Sequence, residues 1–403
     1  MRAVGCSTLV TCAVGMLPAR GAVEPEAVRD AVVAWQGDAI VYAGERRGWE
    51  GDVDEEREGC TVVPGFVDCH THLPFVGWRD DEFEARLGGR TYRDLHGEGG
   101  IARSARMLAE ASDEDVLSFC RPLLAEMLAM GTTALELKTG YGLSVEAELR
   151  QARLARRLSE EAAQTATVTL LACHAVPPGM SREDWVKTAC TELIPQADAE
   201  GLVDAVDVYV EDIAFSVEDL HRVAEAAAAA GLPLRCHADQ LGPSSAGEAA
   251  ASLGARSADH LNHARPEAGT TLARAGTAAV LLPASTLMLR AQPPPVAALA
   301  GAGAALAVAT DFNPGTSPVL SMPLAIALAC SLYRLSPGTA LAAATANPAW
   351  VLGLHDRLGS LEPGMRADFL VLEGSDVRMI AYRPGHNPVL EVFVAGERVV
   401  GEP

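Results

Sequence analysis

Two histidines stand two residues apart in the stretch DCHTHL, residues 68–73, which follows the apolar run TVVPGF. Side chains alternate between the two faces of a β-strand, so His70 and His72 would point in the same direction and Thr71 away from them. Two imidazoles on one face can share a metal ion. A single histidine on a strand is nevertheless more often a packed or hydrogen-bonded residue, so the pair predicts a metal site only together with further ligands.

Eight short apolar runs follow one another along most of the chain, and most are separated by alanine-rich stretches with helical character. Strands that alternate with helices predict right-handed βαβ units and a parallel sheet. Eight such units predict an α/β fold, a (β/α)8 barrel of the TIM type. The runs are 61–73, 133–142, 168–178, 205–215, 232–240, 255–263, 277–286 and 305–315.

The segments between and after these runs carry helix signals. Ser216 can cap a helix that Gly231 would end before the fifth strand. The helix after the seventh run has to accommodate the prolines of QPPP, residues 292–295. Beyond the barrel, residues 321–354 predict two further helices.

Both ends of the chain have strand-like patterns. Residues 31–35 and 39–43 flank QGD, which is typical of a hairpin turn, and the tail alternates short strands with turns. We therefore expect a small, sandwich-like composite β domain formed by residues 1–60 and 355–403. The hydrolase barrel domain would span residues 61–354.

Charge and composition exclude several classes of partner. Among 403 residues, Asp and Glu number 53 against 32 Lys and Arg, and the net charge of −21 repels nucleic acids and anionic membranes. No apolar stretch of about 20 residues predicts a membrane span. Nine cysteines without CxxC pairs predict free thiols in a cytoplasmic protein. Residues 1–21 have some features of a signal peptide, but their β-branched residues favour a strand.

Polar residues cluster at the carboxyl ends of the predicted strands, where barrel enzymes place their catalytic groups. They are His70 and His72 on strand one, His174 on strand three, His237 on strand five, His260 on strand six and Asp311 on strand eight. The imidazoles of strands one and five and the carboxylate of strand eight would form a His3Asp site that suits Zn2+ or Fe2+. An open position for water would make this a hydrolase.

These residues resemble the amidohydrolase superfamily. The resemblance rests on PGFVDCHTHL, on His237 and His260, on ATD at the end of strand eight, and on GSLEPGMRADFLVLE in the tail. It covers essentially the whole chain and implies a composite β domain beside the barrel. Many two-metal members use a carboxylated lysine on strand four. Here the only lysines are Lys138, on strand two, and Lys187, so we expect one metal ion.

Within the superfamily the chain resembles the imidazolonepropionase family, through GWRDDEFEARL, GEGGI, ELKTGYGL, HAVPP, CHADQLG, SADHL and ATDFNPGTSP. The resemblance implies hydrolysis of a small-molecule substrate, 4-imidazolone-5-propionate, to N-formimidoyl-L-glutamate in histidine degradation, and it allows a homodimer. The implied ligands are His70, His72, His237 and Asp311, the implied catalytic residues are His260, Asp311 and Gln240, and the implied substrate-binding residues are Arg79, Tyr92, Tyr141, His174, Gln240, Asn313 and Gly315.

Several alternatives stay open at this point. Arg79 could hold the propionate carboxylate as a planar fork, or form a surface salt bridge with Asp80 or Glu82. Either Asp311 or His260 could be the general base, and the ligand set suits zinc and iron alike. The strand-seven sequence LLPASTLMLRA departs from the family pattern. A related deaminase or cyclic amidohydrolase acting on another heterocycle is therefore the alternative enzyme, and a non-catalytic binding protein is the alternative of another class.

Overall fold

Two β-sheets form the framework of the protein in the computed structural model, which describes residues 1–13, 21–95 and 99–401. The GEGGI motif at 97–101 and the signal-like segment at 1–21 therefore lie partly outside the described residues. In chain order the strands are β1 (Arg2–Val10), β2 (Ala27–Gln36), β3 (Ala39–Glu45), β4 (Glu55–Pro64), β5 (Phe66–Asp68), β6 (Thr132–Lys138), β7 (Thr165–Cys173), β8 (Ala205–Val210), β9 (Leu234–Ala238), β10 (Ser257–His260), β11 (Ala278–Leu281), β12 (Leu306–Val308), β13 (Phe369–Leu372), β14 (Val389–Val394) and β15 (Glu397–Val400).

Seven strands from the two ends of the described chain form one sheet, in the order β15–β14–β13–β4–β1–β2–β3. β1 is parallel to β4, and the other neighbours are antiparallel. The predicted hairpin is confirmed, because β2 pairs with β3 across a turn in which Gly37 has φ +63°. The sheet buries Trp35 against Phe369 and Phe393, at centroid distances of 5.2 and 5.7 Å. The domain bounds themselves stay a prediction.

The larger sheet contains eight parallel strands in sequence order, from β5 to β12, and each coincides with one of the eight predicted runs. A parallel bridge between Thr71 and Phe312 joins its two edges, where the His72 amide donates to the Phe312 carbonyl at 2.9 Å. The (β/α)8 barrel is therefore confirmed. Its strands all present their carboxyl ends to one mouth.

Helices follow most of the barrel strands and cover their outer faces. They are α1 (Asp80–Leu87), α2 (Tyr92–Leu95), α3 (Gly100–Glu110), α4 (Asp113–Ala129), α5 (Val145–Glu161), α6 (Arg182–Thr188), α7 (Ile194–Ala199), α8 (Val217–Ala229), α9 (Ala246–Ser252), α10 (Ala268–Ala275), α11 (Pro283–Leu289), α12 (Val296–Gly301), α13 (Met322–Tyr333), α14 (Pro337–Ala342), α15 (Ala346–Val351) and α16 (Arg378–Tyr382). A π-helical turn, Ala189–Leu193, joins α6 to α7, and a 3-10 turn, Arg46–Gly48, follows β3.

The cap of α8 is as predicted: Ser216 accepts from the Asp219 amide in a capping box, and Gly231 follows the helix with φ +71°. The prolines of residues 292–295 lie between α11 and α12, so two short helices follow strand seven.

The expectation of two helices in residues 321–354 is wrong, because three helices, α13 to α15, occupy this segment. Ser336 starts the second by accepting from the Thr339 amide at 3.1 Å. Thr345 lies between the second and third helices, and its hydroxyl donates to the Leu341 carbonyl at 2.9 Å. Polar side chains that bind the backbone in this way interrupt a run whose composition alone is helical.

Among the helices of the described residues, none is both long and apolar enough to cross a bilayer. All nine cysteines are free thiols, as predicted from their spacing. A cytoplasmic location stays a prediction.

The barrel interior contains a layer of charged side chains where barrels of this type mostly pack branched apolar residues. Its members are fully or almost fully buried: Glu136, Lys138, Asp207, Arg235 and Asp259. This layer lies directly below the histidines of the mouth, because Asp259 contacts His70 and Asp207 contacts His237.

Candidate metal centre and substrate pocket

The four predicted metal ligands meet at the mouth of the barrel. The Asp311 Oδ1 atom lies 3.5 Å from His70 Nε2 and 3.3 Å from His72 Nε2. His237 Nε2 lies 3.5 Å from His72 Nε2. All four side chains are buried. Three Nε2 atoms and one carboxylate oxygen thus surround a single point, which is the donor set that a borderline divalent cation prefers.

Two buried carboxylates orient the ligand histidines. Asp259 Oδ2 lies 2.6 Å from His70 Nδ1 in a hydrogen bond, and Asp207 Oδ2 lies 3.0 Å from His237 Nδ1 in an ion-pair contact. A carboxylate beside Nδ1 keeps the proton on that nitrogen and leaves the Nε2 lone pair free. Among the described residues, the buried His70 Nε2 atom has no hydrogen-bond partner. A nitrogen lone pair that points at the centre and has no hydrogen-bond partner is suited to bind a metal ion.

His260 lies beside the same centre. His70, His237 and His260 offer nitrogens within 4.8 Å of one another, as do the ligand atoms of His70, His72 and Asp311. Burial lowers the pKa of His260 to about 3, so its imidazole is neutral at pH 7. His260 therefore stands where a neutral base or hydrogen-bonding group can act, close to the four predicted ligands.

A pocket opens above the histidines, several of which line it. Six predicted substrate-binding residues line it: Arg79, Tyr92, Tyr141, His174, Gln240 and Asn313. Residues that we did not predict also line it: Ile101, Tyr209 and Thr316. Tyr209 could have been found from strand alternation, because it lies two residues after Asp207 on β8 and so shares its inward face.

Arg79 is buried, with 3% of its surface exposed, so the predicted ion pair with Glu82 is present but lies in the interior and not at the surface. Its Nε atom lies 3.8 Å from Glu82 Oε2, and neither Nε nor Nη1 has a hydrogen-bond partner among the described residues. Gly315 makes room for this guanidinium, since a Cβ there would lie 1.5 Å from Arg79 Nη2. A buried cation with free donors in a pocket is a site for an anionic group.

Helix α5 shapes the loop that carries Tyr141. The Glu148 carboxylate accepts from the backbone amides of Gly140, Gly142 and Leu143, at 2.8, 2.7 and 3.0 Å. Gly140 has φ +113°, and its carbonyl lies 3.0 Å from His174 Nδ1. This contact places the Nδ1 proton of His174 toward the loop. The Nε2 atom is then left for the pocket.

Asn313 lines the pocket and also forms hydrogen bonds with the backbone of its own loop. Its Oδ1 atom accepts from the amides of Gly315 and Thr316, at 2.9 and 2.7 Å, and its Nδ2 donates to the Asp311 carbonyl at 2.6 Å. Asn313 therefore fixes the backbone that presents both Asp311 and Gly315. Gly315 is not itself among the lining residues of the pocket and acts on it through Arg79.

Glu211, at the end of β8, holds the backbone of Gln240. Its Oε1 atom accepts from the amides of Gln240 and Leu241, at 2.6 and 2.8 Å. Burial raises the pKa of Glu211 from 4.5 to about 7, although these two amides lower it in part. The carboxyl group thus keeps a proton in the folded protein at pH values where the unfolded chain has lost it.

This difference predicts that the free energy of unfolding falls as pH rises from about 4.5 to 7, because the unfolded state ionises first. Glu211→Gln keeps the Oε1 acceptor and should remove this contribution, on the order of 2 kcal/mol. Urea unfolding at pH 5 and pH 8 measures it, with Glu225→Gln on the exposed face of α8 as the control. Equal pH dependence in Glu211→Gln and the unmodified protein would show that Glu211 does not resist ionisation.

Comparison with known proteins gives the following matches. The model of the amidohydrolase family matches residues 61–399. An imidazolonepropionase of Pseudomonas aeruginosa (strain UCBPP-PA14) is 42% identical over 379 residues, which are 92% of this chain and 94% of that protein. An imidazolonepropionase of Deinococcus radiodurans is 42% identical over 399 residues, 98% of each chain.

Solved structures with low identity share the fold. An atrazine chlorohydrolase from Arthrobacter aurescens TC1, complexed with zinc, is 19% identical with a TM-score of 0.71, covering 100% of this chain and 95% of that one. A guanine deaminase from C. acetobutylicum with bound guanine is 16% identical with a TM-score of 0.70, covering 98% and 99%. At such identities these structures support the architecture alone.

Proposed function

This chain belongs to the amidohydrolase family and, within it, to the imidazolonepropionases, and on that premise we propose that it hydrolyses 4-imidazolone-5-propionate. In this reaction a water molecule adds to the ring carbonyl carbon and the carbon–nitrogen bond of the cyclic amide breaks. The ring nitrogen takes up a proton, and the product is N-formimidoyl-L-glutamate. No fragment leaves, because the broken bond is part of a ring.

The observation that carries this proposal is the position of Arg79. Its guanidinium is buried, Nε and Nη1 have no hydrogen-bond partner among the described residues, and it lines the same pocket as His72, His237 and Asp311. A buried arginine can bind a carboxylate with two charge-assisted hydrogen bonds. The pocket therefore offers one site for the propionate and another, beside the histidines, for the ring.

We propose one divalent metal ion, zinc or iron, held by His70, His72, His237 and Asp311. The three Nε2 atoms and the carboxylate oxygen described above are ligands that suit either metal. A cation bound there would activate a water molecule and polarise the ring carbonyl.

The remaining roles are those of the chain's own side chains. Asp311 and the neutral His260 are the groups beside the centre that can accept the proton of the attacking water and return one to the ring nitrogen. Gln240 cannot act as a base, and its amide would orient the ring. Burial raises the pKa of Tyr141, which stays a hydroxyl donor at neutral pH.

A deaminase acting on a neutral heterocycle is the second candidate, because deaminases share this fold. The two reactions differ in a measurable product: a deaminase releases ammonia, whereas ring opening of imidazolonepropionate does not. Purified protein should convert imidazolonepropionate to N-formimidoyl-L-glutamate without ammonia, and leave guanine and cytosine unchanged. Ammonia release from either base, with no turnover of imidazolonepropionate, would favour the deaminase.

A further inference from the structure

A continuous chain of buried ions connects two of the proposed metal ligands below the mouth of the barrel. It runs through five residues, called the ion-pair chain hereafter: Asp259, Arg235, Glu136, Lys138 and Asp207. The two ends contact His70 Nδ1 and His237 Nδ1 through Asp259 and Asp207. Strands β6, β8, β9 and β10 each contribute at least one of the five residues.

The central contacts are short and buried. Lys138 Nζ lies 2.7 Å from Glu136 Oε2 and 2.7 Å from Asp207 Oδ2, and all three side chains are fully buried. Arg235 pairs with Glu136 through Nη1 and lies 3.2 Å from Asp259 Oδ2 through Nη2. Its Nη2 also donates to the Cys69 carbonyl at 2.7 Å. Each carboxylate of the ion-pair chain is therefore held by a cation that is itself fixed.

Filling the barrel interior with charged side chains carries a large desolvation free energy. Removing five charged groups from water costs several kcal/mol per ion, and apolar residues of similar volume often stabilise a core equally well or better. Stability alone therefore does not account for these five residues. The ion-pair chain fixes the carboxylate oxygens that face the Nδ1 atoms of His70 and His237, and so it can fix the orientation of the two imidazole rings.

We infer that Glu136 and Lys138 are positioning residues of the metal centre, which act through Asp207 and Asp259 on the orientation of His237 and His70. The inference rests on the metal site proposed above. Glu136 orients Arg235 against Asp259, and Lys138 orients Asp207 against His237. Loss of Lys138 thus leaves Asp207 without its cation, and loss of Glu136 leaves Arg235 without one of its carboxylates, although neither residue binds the metal. Mutation of a direct partner of a ligating histidine typically changes metal affinity by about 10–100-fold, and we expect the same order for residues that fix such partners.

Charge and orientation make opposite predictions for one of the two residues. Removing the negative charge of Glu136 weakens cation binding under either explanation. Removing the positive charge of Lys138 leaves the centre more negative, which by charge alone would strengthen the binding of Zn2+. If Lys138 acts by orienting Asp207, its removal weakens Zn2+ binding instead. Lys138→Met therefore separates the two explanations.

The experiment titrates Zn2+ between the metal-free full-length protein and a chelating dye, so that the readout is affinity and not activity. Glu136→Gln and Lys138→Met should each bind Zn2+ about 10–100-fold more weakly than the unmodified protein. Glu160→Gln and Lys187→Met change exposed side chains of the same types on α5 and α6 and should bind Zn2+ as the unmodified protein does.

Unchanged or tighter Zn2+ binding by folded Lys138→Met would overturn the inference. If that variant does not fold, Glu136→Gln/Lys138→Met decides, because it removes one charge of each sign and leaves the net charge of the barrel interior unchanged. The double variant should also lose about 10–100-fold in affinity, and unmodified affinity would overturn the inference. Absence of Zn2+ binding by the unmodified protein would instead remove the proposed metal site, and this inference with it.

Discussion

Replacement of Asp311 by asparagine is expected to lower kcat/KM for imidazolonepropionate by at least about 10²–10⁴-fold. Two losses add in this variant. The Oδ1 atom that faces His70 Nε2 and His72 Nε2 is the only carboxylate oxygen among the four proposed ligands, and an amide is a much weaker ligand. The amide also cannot accept a proton from the attacking water.

Steady-state kinetics and metal content of the purified variant test this expectation together. Asp356→Asn is the matched control. Asp356 is exposed and lies beyond the last barrel strand in the sequence, so this variant should retain full activity. If Asp311→Asn kept its metal and lost less than tenfold in kcat/KM, Asp311 would be neither an essential ligand nor the base.

Arg79→Ala is expected to lower kcat/KM for imidazolonepropionate by roughly 30-fold to 4,000-fold, which corresponds to the 2–5 kcal/mol of a buried charged hydrogen-bond partner. The reason is that no other group of the pocket lining in the described residues carries a fixed positive charge. Arg79→Lys should recover only part of the loss, because an ammonium group does not reproduce the planar pair of donors.

The control for this prediction is a substrate analogue in which the propionate is replaced by an uncharged ethyl group. Arg79→Ala should process this analogue about as well as the unmodified protein does, since the arginine then has no anion to bind. Arg274→Ala, on the exposed side of α10, controls for the loss of an arginine as such. Equal losses on substrate and analogue would contradict carboxylate binding and indicate a structural role for Arg79.

Much of the fold could be predicted because its signals are local. Each barrel strand is a short apolar run, and the rule that catalytic groups follow strand ends then brings His70, His237 and Asp311 together without any knowledge of the packing. The capped helix after Ser216 is equally local. The structure adds the distances, which turn a set of candidates into a single cluster.

The ion-pair chain could not be predicted in this way, because its contacts join strands that are far apart in sequence. The sequence places Lys138 on the wrong strand for the family's carboxylated lysine, but its partners, Glu136 and Asp207, follow only from the packing of β6 and β8 around the same interior. The pairing of Arg235 with Asp259 is of the same kind. Alternation marks such residues as inward, but only the register of the strands shows which charges meet.

The contact between Gly315 and Arg79 likewise could not be predicted from the sequence. The family resemblance predicts that Gly315 lines the pocket, whereas in the structure it lets the Arg79 guanidinium pass at a distance that a Cβ atom would not allow. A close approach between two segments more than 200 residues apart leaves no local trace except the absence of a side chain.

The most direct test of the account measures formation of N-formimidoyl-L-glutamate from imidazolonepropionate by three samples of the full-length protein: as purified, after removal of metal by a chelator, and after addition of Zn2+ or Fe2+. We expect turnover by the first sample, loss of turnover in the second, and recovery in the third with about one ion bound per chain. Undiminished turnover by metal-free protein, or no turnover in any sample, would contradict it.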